Sequence, residues 1–153
     1  MNTAAPRYHH TQRAPLYLVL VAGAAAFAGM LAFLPMPPAA QVTPAVAMTL
    51  FGFLAFCFKT FTVSDQGDHL LLRFGPLPVF KKRIPYAAIT EVRRSRSRFV
   101  DGWGIHKVLG RGWTWNLWGF DCAELRVDGQ TLRVGSDDAD GLVRFLRERI
   151  AHR

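Results

Sequence analysis

Residues 16–58 contain no Asp, Glu, Lys, Arg or His. Such a run excludes an ordinary solvated surface for more than a quarter of the 153-residue chain. Its first part, Leu16–Leu34, is 19 apolar residues. As a helix it spans about 28 Å, the thickness of a bilayer's hydrocarbon core. Arg13 and Pro15 precede it, and Pro35, Pro37 and Pro38 end it. A second run, Pro44–Phe58, spans about 22 Å by the same rise. It reaches Val63 if Lys59 snorkels to the interface. The connection Pro35–Thr43 is short enough to demand a hairpin. Ala25 and Gly29 form a small-xxx-small pair suited to close helix packing, with Gly52 and Ala55 on the second run. Two alternatives compete: a core helix of a soluble protein for the second run, and a cleaved signal peptide for the first. The first apolar run is too long for a signal peptide, and Ala45-Val46-Ala47 lies too far downstream to be its cleavage site.

Charge divides the chain in the same place. Residues 59–153 hold 17 of the 19 Lys and Arg and all 11 acidic residues. Within them, residues 59–111 carry 11 basic and 4 acidic residues, whereas 112–153 carry 6 and 7. The positive excess thus follows directly on the apolar runs. Arg7 and Arg13 lie before them, and the connection between them is uncharged. The positive-inside rule then puts both termini in the cytoplasm and Pro35–Thr43 outside. The expected organisation is a disordered cytoplasmic tail over 1–15, a two-helix transmembrane hairpin over 16–58 and a small domain over 59–153. The expected location is the plasma membrane, crossed twice.

The pattern after Lys59 changes to short alternating runs. Phe61 and Val63, then Leu70, Leu72 and Phe74, alternate with polar neighbours, and Asp65-Gln66-Gly67-Asp68 separates them as a turn. Further strands are predicted at Val79–Ile84, Ala88–Arg94, Trp113–Leu117, around Leu125 and Val127, and around Leu132 and Val134. Asp128-Gly129 is a hairpin signal between the last two. The chain then turns helical. Ser136 or Asp137 can cap a helix whose stripe is Leu142, Val143, Phe145, Leu146 and Ile150.

Seven strands and one closing helix resemble a pleckstrin-homology (PH) domain, and more closely the bacterial PH-like domains that follow a pair of membrane helices. The resemblance rests on Leu70-Leu71-Leu72-Arg73-Phe74-Gly75, Arg83-Ile84-Pro85-Tyr86-Ala87-Ala88-Ile89, Gly102-Trp103-Gly104-Ile105, Ala123-Glu124-Leu125-Arg126-Val127 and Leu132-Arg133-Val134-Gly135. It covers residues 60–152. It implies seven antiparallel strands in two near-orthogonal sheets with a C-terminal helix, and a binding or scaffolding role rather than a reaction. PH folds bind lipid head groups, peptides or proteins. The phosphoinositide-binding members gather cations between their first two strands, where this chain has the acidic Ser64-Asp65-Gln66-Gly67-Asp68-His69.

A search for chemistry yields little. His69, His106 and His152 are scattered, and Cys57 and Cys122 have no ligand spacing. Asp137, Asp138 and Asp140 suit a helix N-terminus better than a cation site. No nucleophile elbow, zinc-protease motif or phosphate loop is present. The expectation is no enzyme, no cofactor and no metal. Two features remain. Lys81, Lys82, Arg83, Arg93, Arg94, Arg96 and Arg98 form one basic surface if the third and fourth strands pair. That surface would contact anionic lipid; a membrane-tethered nucleic-acid-binding domain is the alternative, and a solvated strand face the plainest reading. The long connection Ser95–Gly112 carries Phe99, Val100, Trp103, Ile105, Val108 and Leu109. Trp103 is expected to plug an open end of the barrel. Val108 and Leu109 are expected to meet a protein partner or a second copy.

Overall fold

A computed structural model describes residues 8–77, 79–98 and 103–151. Helix α1 is Leu16–Phe33 and helix α2 is Pro38–Cys57. Their lengths are about 27 and 30 Å. The second helix starts six residues before the expected Pro44. Pro37 and Pro38 supply the entry, since Pro fits a first turn whose N–H has no partner. The Gln41 amide donates to the Met36 carbonyl at 3.0 Å and steadies that turn. Pro44 lies inside the helix and is buried. The helices pack where the Phe51 ring meets Gly23. A Cβ on Gly23 would lie 2.5 Å from Phe51 Cδ1, and Phe27 meets Phe51 edge-on at 5.6 Å. The expected Ala25/Gly29 pair does not make this contact: nothing lies within 4 Å of a Cβ on Gly29. No residue of α1 is buried. Both helices are long and apolar enough to cross a membrane, and neither, the second run included, is mostly buried as a core helix would be.

The tail expected to be disordered contains strand β1, His9–Arg13. Residues 1–7 of that tail lie outside the described residues. Strands β2 (Thr60–Asp65), β3 (His69–Phe74) and β4 (Lys81–Pro85) complete a sheet ordered β1-β2-β3-β4. Strand β1 pairs antiparallel with β2, from His9 opposite Ser64 to Arg13 opposite Thr60. The helical hairpin is therefore an insertion between two paired strands. Both its ends leave one end of the sheet side by side, from the neighbouring strands β1 and β2. The Thr60 carbonyl accepts from Gly75 N at 2.7 Å, so Thr60 turns its backbone to β3. Gln12 and Phe61 are then the hydrogen-bonded pair nearest the helices.

The second sheet holds β5 (Ile89–Arg96), β6 (Gly104–Val108), β7 (Gly112–Asn116), β8 (Asp121–Val127) and β9 (Gln130–Gly135). Its order is β5-β8-β9-β7-β6. The described residues thus form nine strands, not seven; β1 and β6 are the additions. Nor are they all antiparallel, since β7 runs parallel to β9, Trp113 opposite Leu132. The two sheets enclose Phe61, Leu70, Leu72, Phe74, Ile84, Leu125 and Val134. Helix α3 (Ala139–Ala151) adds Leu142, Val143 and Leu146, with Phe145 and Ile150 half-buried. Its cap is Asp138, whose carboxylate accepts from Gly141 N at 3.2 Å. Ser136 Oγ accepts from Asp138 N at 3.0 Å.

Candidate functional site

The helix exits define one end of the domain. Arg13 ends β1 opposite Thr60, and Lys59 follows α2 directly. The Lys59 ammonium lies 5.9 Å from the centre of the Tyr17 ring, at the first turn of α1. Two rows further, Thr62, Arg73 and Lys81 stand opposite one another across β2, β3 and β4. Sheet pairing thus gathers Arg13, Lys59, Arg73 and Lys81 near the place where the apolar helices begin. These positions are far apart in sequence, and the β1–β2 ladder is what unites them.

The basic set read from the sequence divides in two. Strands β4 and β5 belong to different sheets and do not pair. Lys81, Lys82 and Arg83 lie on the edge strand β4. Lys81 and Arg83 are exposed, and Lys82, opposite Leu72, is half-buried. None of the three has an ion-pair partner among the described residues. Arg93, Arg94 and Arg96 lie on β5 and face carboxylates. Arg93 donates to Glu124 through Nε at 2.8 Å and also through a shorter Nη2 contact. Arg94 lies 3.4 Å from Asp121 and 3.3 Å from Asp140, and Arg96 lies 3.6 Å from Asp121. Arg98 follows two residues after β5, away from β4 in sequence and sheet. The strand pairing expected to join all seven cations is absent, since β4 and β5 belong to different sheets.

Glu124 also accepts from the buried Arg133 at 2.7 Å. Burial pushes its carboxyl up, but Arg93 and Arg133 outweigh that and hold it below the usual glutamate range. This knot is structural, with Arg133 donating its remaining Nη1 to the Arg111 carbonyl at 2.7 Å.

Trp103 does not plug the barrel. It is 37 % exposed, stacks on Trp118 at 4.4 Å and donates Nε1–H to the Gly119 carbonyl at 3.3 Å. The buried Trp115 and Leu117 fill the interior instead. Phe99 and Val100 lie outside the described residues. Val108 is half-buried, and Leu109, just past β6, is 96 % exposed. Truncating Trp103 to Ala therefore removes one aromatic stack, worth about 0.5–1.5 kcal/mol. Trp115→Ala removes a core ring, at about 3–5 kcal/mol. Thermal melts of the full chain in detergent are expected to rank Trp115→Ala far below Trp103→Ala, with Leu109→Ala melting like the parent.

The opposite end of the first sheet carries a cleft of about 670 Å³ between the β2–β3 turn and α3. Tyr86 OH donates to Asp65 at 2.7 Å, and Tyr8 OH to Asp138 at 3.2 Å. Burial first, and then the neighbouring carboxylates, push both phenols above the ordinary tyrosine range. Tyr8 stacks on Phe145 at 5.3 Å, and the Arg149 guanidinium lies 5.3 Å from the Tyr86 ring. These contacts brace β1 and α3 against the sheet. Neither tyrosine was singled out by sequence, because their partners lie 130 and 21 residues away.

Among the described residues no group of three His, Cys, Asp or Glu is placed to hold a metal ion. His106 is half-buried in β6, and Asp101, five residues before it in sequence, lies outside the described residues. Cys57 and Cys122 are free and buried, and burial pushes the Cys122 thiol up to about 11. No family model matches the chain, and no curated protein or solved structure matches it.

Proposed function

We propose that this protein is a membrane-anchored binding or scaffolding module whose PH-like domain rests on the cytoplasmic face of the plasma membrane. In this reading α1 and α2 cross the bilayer, both termini are cytoplasmic, and the domain meets anionic lipid while presenting its outer surfaces to a protein partner. The observation that carries it is the β1–β2 ladder, which brings Arg13, Lys59, Arg73 and Lys81 to the end from which both apolar helices leave. Cations at that level satisfy the positive-inside rule, and each basic residue close to an anionic surface contributes about 1 kcal/mol. The two sheets and closing helix support a binding fold, with the parallel β7–β9 pair as a departure from the PH pattern. The nucleic-acid reading loses ground, because Arg93, Arg94 and Arg96 face carboxylates.

The two halves of the basic set give a direct test. A soluble form, which keeps Arg73 and Lys81 but not Arg13 or Lys59, is obtained by joining Gln12 to Phe61 through Asn-Gly in place of residues 13–60, a two-residue turn suited to a hydrogen-bonded pair. Changing Lys81, Lys82 and Arg83 to Gln is expected to weaken its binding to phosphatidylglycerol vesicles by about 3 kcal/mol, roughly a hundredfold, at low salt. Changing Arg94 and Arg96 to Gln is expected to leave binding nearly unchanged. Equal affinity of the triple variant and its parent in a vesicle-flotation titration contradicts the lipid contact. A steep salt-dependent affinity for DNA, lost in the same variant, would favour the nucleic-acid reading instead.

A further inference from the structure

The geometry points to a second membrane contact, distinct from the cations: Leu77 and Val79, in the β3–β4 connection, form an apolar wedge that enters the boundary between head groups and acyl chains. This rests on the reading that α1 and α2 span the bilayer.

Three contacts fix the level of this connection against the end of α2. Gly75 adopts a φ of +63°, and a Cβ there would lie 2.3 Å from the Cys57 carbonyl oxygen. Cys57 is the last residue of α2, so the backbone of the connection touches the helix terminus itself. Gly75 N also donates to the Thr60 carbonyl at 2.7 Å. Beyond it, Phe80 stacks on Phe58 at 5.4 Å, and Phe58 meets the core ring of Phe74 at 5.0 Å. Phe80 is thus turned toward the domain, whereas Leu77 and Val79 are 41 % and 54 % exposed.

Position decides the occupant. A 20-residue apolar helix ending at Cys57 uses the full hydrocarbon thickness, so its terminus lies at the interface. Side chains on a segment packed against that terminus share its depth. Lys59 follows the helix, and Arg73 and Lys81 flank the connection on β3 and β4. An apolar tip bordered by cations matches an anionic bilayer surface, with the apolar part below the head groups and the charges among them. A soluble partner would need to reach this tip past the membrane itself.

The full chain, with Cys57 and Cys122 changed to Ala, tests the wedge in vesicles of phosphatidylcholine and phosphatidylglycerol. Single cysteines at Leu77, Val79, Leu50 and Gln66 each carry a nitrobenzoxadiazole probe. Leu50 lies within α2, and Gln66 is exposed in the β2–β3 turn, at the far end of the sheet. Probes at 77 and 79 are expected to emit to the blue of the probe at 66. They are also expected to lose intensity to a lipid nitroxide near the head of the acyl chain, and to resist aqueous iodide. If either behaves like the probe at 66 while the probe at 50 is quenched by lipid, the wedge is overturned and the spanning helices stand. If the probe at 50 is itself quenched by iodide and not by lipid, the spanning reading fails and the wedge with it.

Discussion

Residues 59–153 expressed alone are expected to be poorly folded, whereas the chain in which Asn-Gly joins Gln12 to Phe61 is expected to be soluble and cooperative. The difference is β1. Without it, β2 becomes an open edge, and an exposed edge strand recruits other chains. About five ladder hydrogen bonds disappear, each contributing about 1 kcal/mol. The Gln12 amide no longer donates to the Trp118 carbonyl at 3.0 Å, and Tyr8 no longer stacks on Phe145 at 5.3 Å. Together these approach the whole stability of a small domain, about 5–15 kcal/mol. Circular dichroism melts and sedimentation of the two proteins check this. A fragment 59–153 that is monomeric and melts with the joined form would show that β1 contributes nothing.

Glu124→Ala is expected to cost about 3–5 kcal/mol, because it strands the buried Arg133 with only the Arg111 carbonyl at 2.7 Å. Arg93→Ala removes the exposed partner of the same carboxylate and is expected to cost about 1 kcal/mol or less. The knot also sets an acid limb. Glu124 has a folded-state pKa below its unfolded value, so its contribution is complete above the unfolded pKa. It is lost as pH falls through the depressed folded value, below the ordinary glutamate range. Glu124→Gln should therefore melt lower at neutral pH yet show a flatter decline on acidification. A parent and variant with parallel pH profiles would contradict a carboxylate held down by its arginines.

The apolar helices were legible in the sequence because a charge-free stretch of 43 residues has few alternatives. The start of α2 was misjudged because Pro44 looks like a boundary, although the double proline at 37 and 38 already supplies one. Strand β1 was invisible for a different reason. His9-His10-Thr11-Gln12-Arg13 has no apolar period, and its role depends on β2, some fifty residues away. Its side chains answer polar partners: Thr11 meets Thr62 at 2.9 Å, and His10 meets Asp137. Strand β6 lay in a connection rich in glycine, and its partner β7 was read without it. The pairing expected to unite the basic set did not occur, because β4 and β5, close in sequence, turn into different sheets. The helical stripe of α3 was read correctly at Leu142, Val143 and Leu146, since one amphipathic face needs no knowledge of its partner. The cations at the helix exits could be named from sequence, but their assembly needed the register of β1, β2, β3 and β4.

The β1–β2 ladder makes one demand that can be measured in cells: if the hairpin crosses a membrane, residues on both sides of it must lie on the same face, and its turn on the other. A chain with Cys57 and Cys122 changed to Ala carries a single cysteine at Gln41, in the exposed first turn of α2, or at Gln66, in the β2–β3 turn. An impermeant maleimide added to intact cells is expected to label position 41 at once and position 66 only after lysis. Labelling of position 66 on intact cells, with position 41 protected until lysis, would put the domain outside and contradict the account.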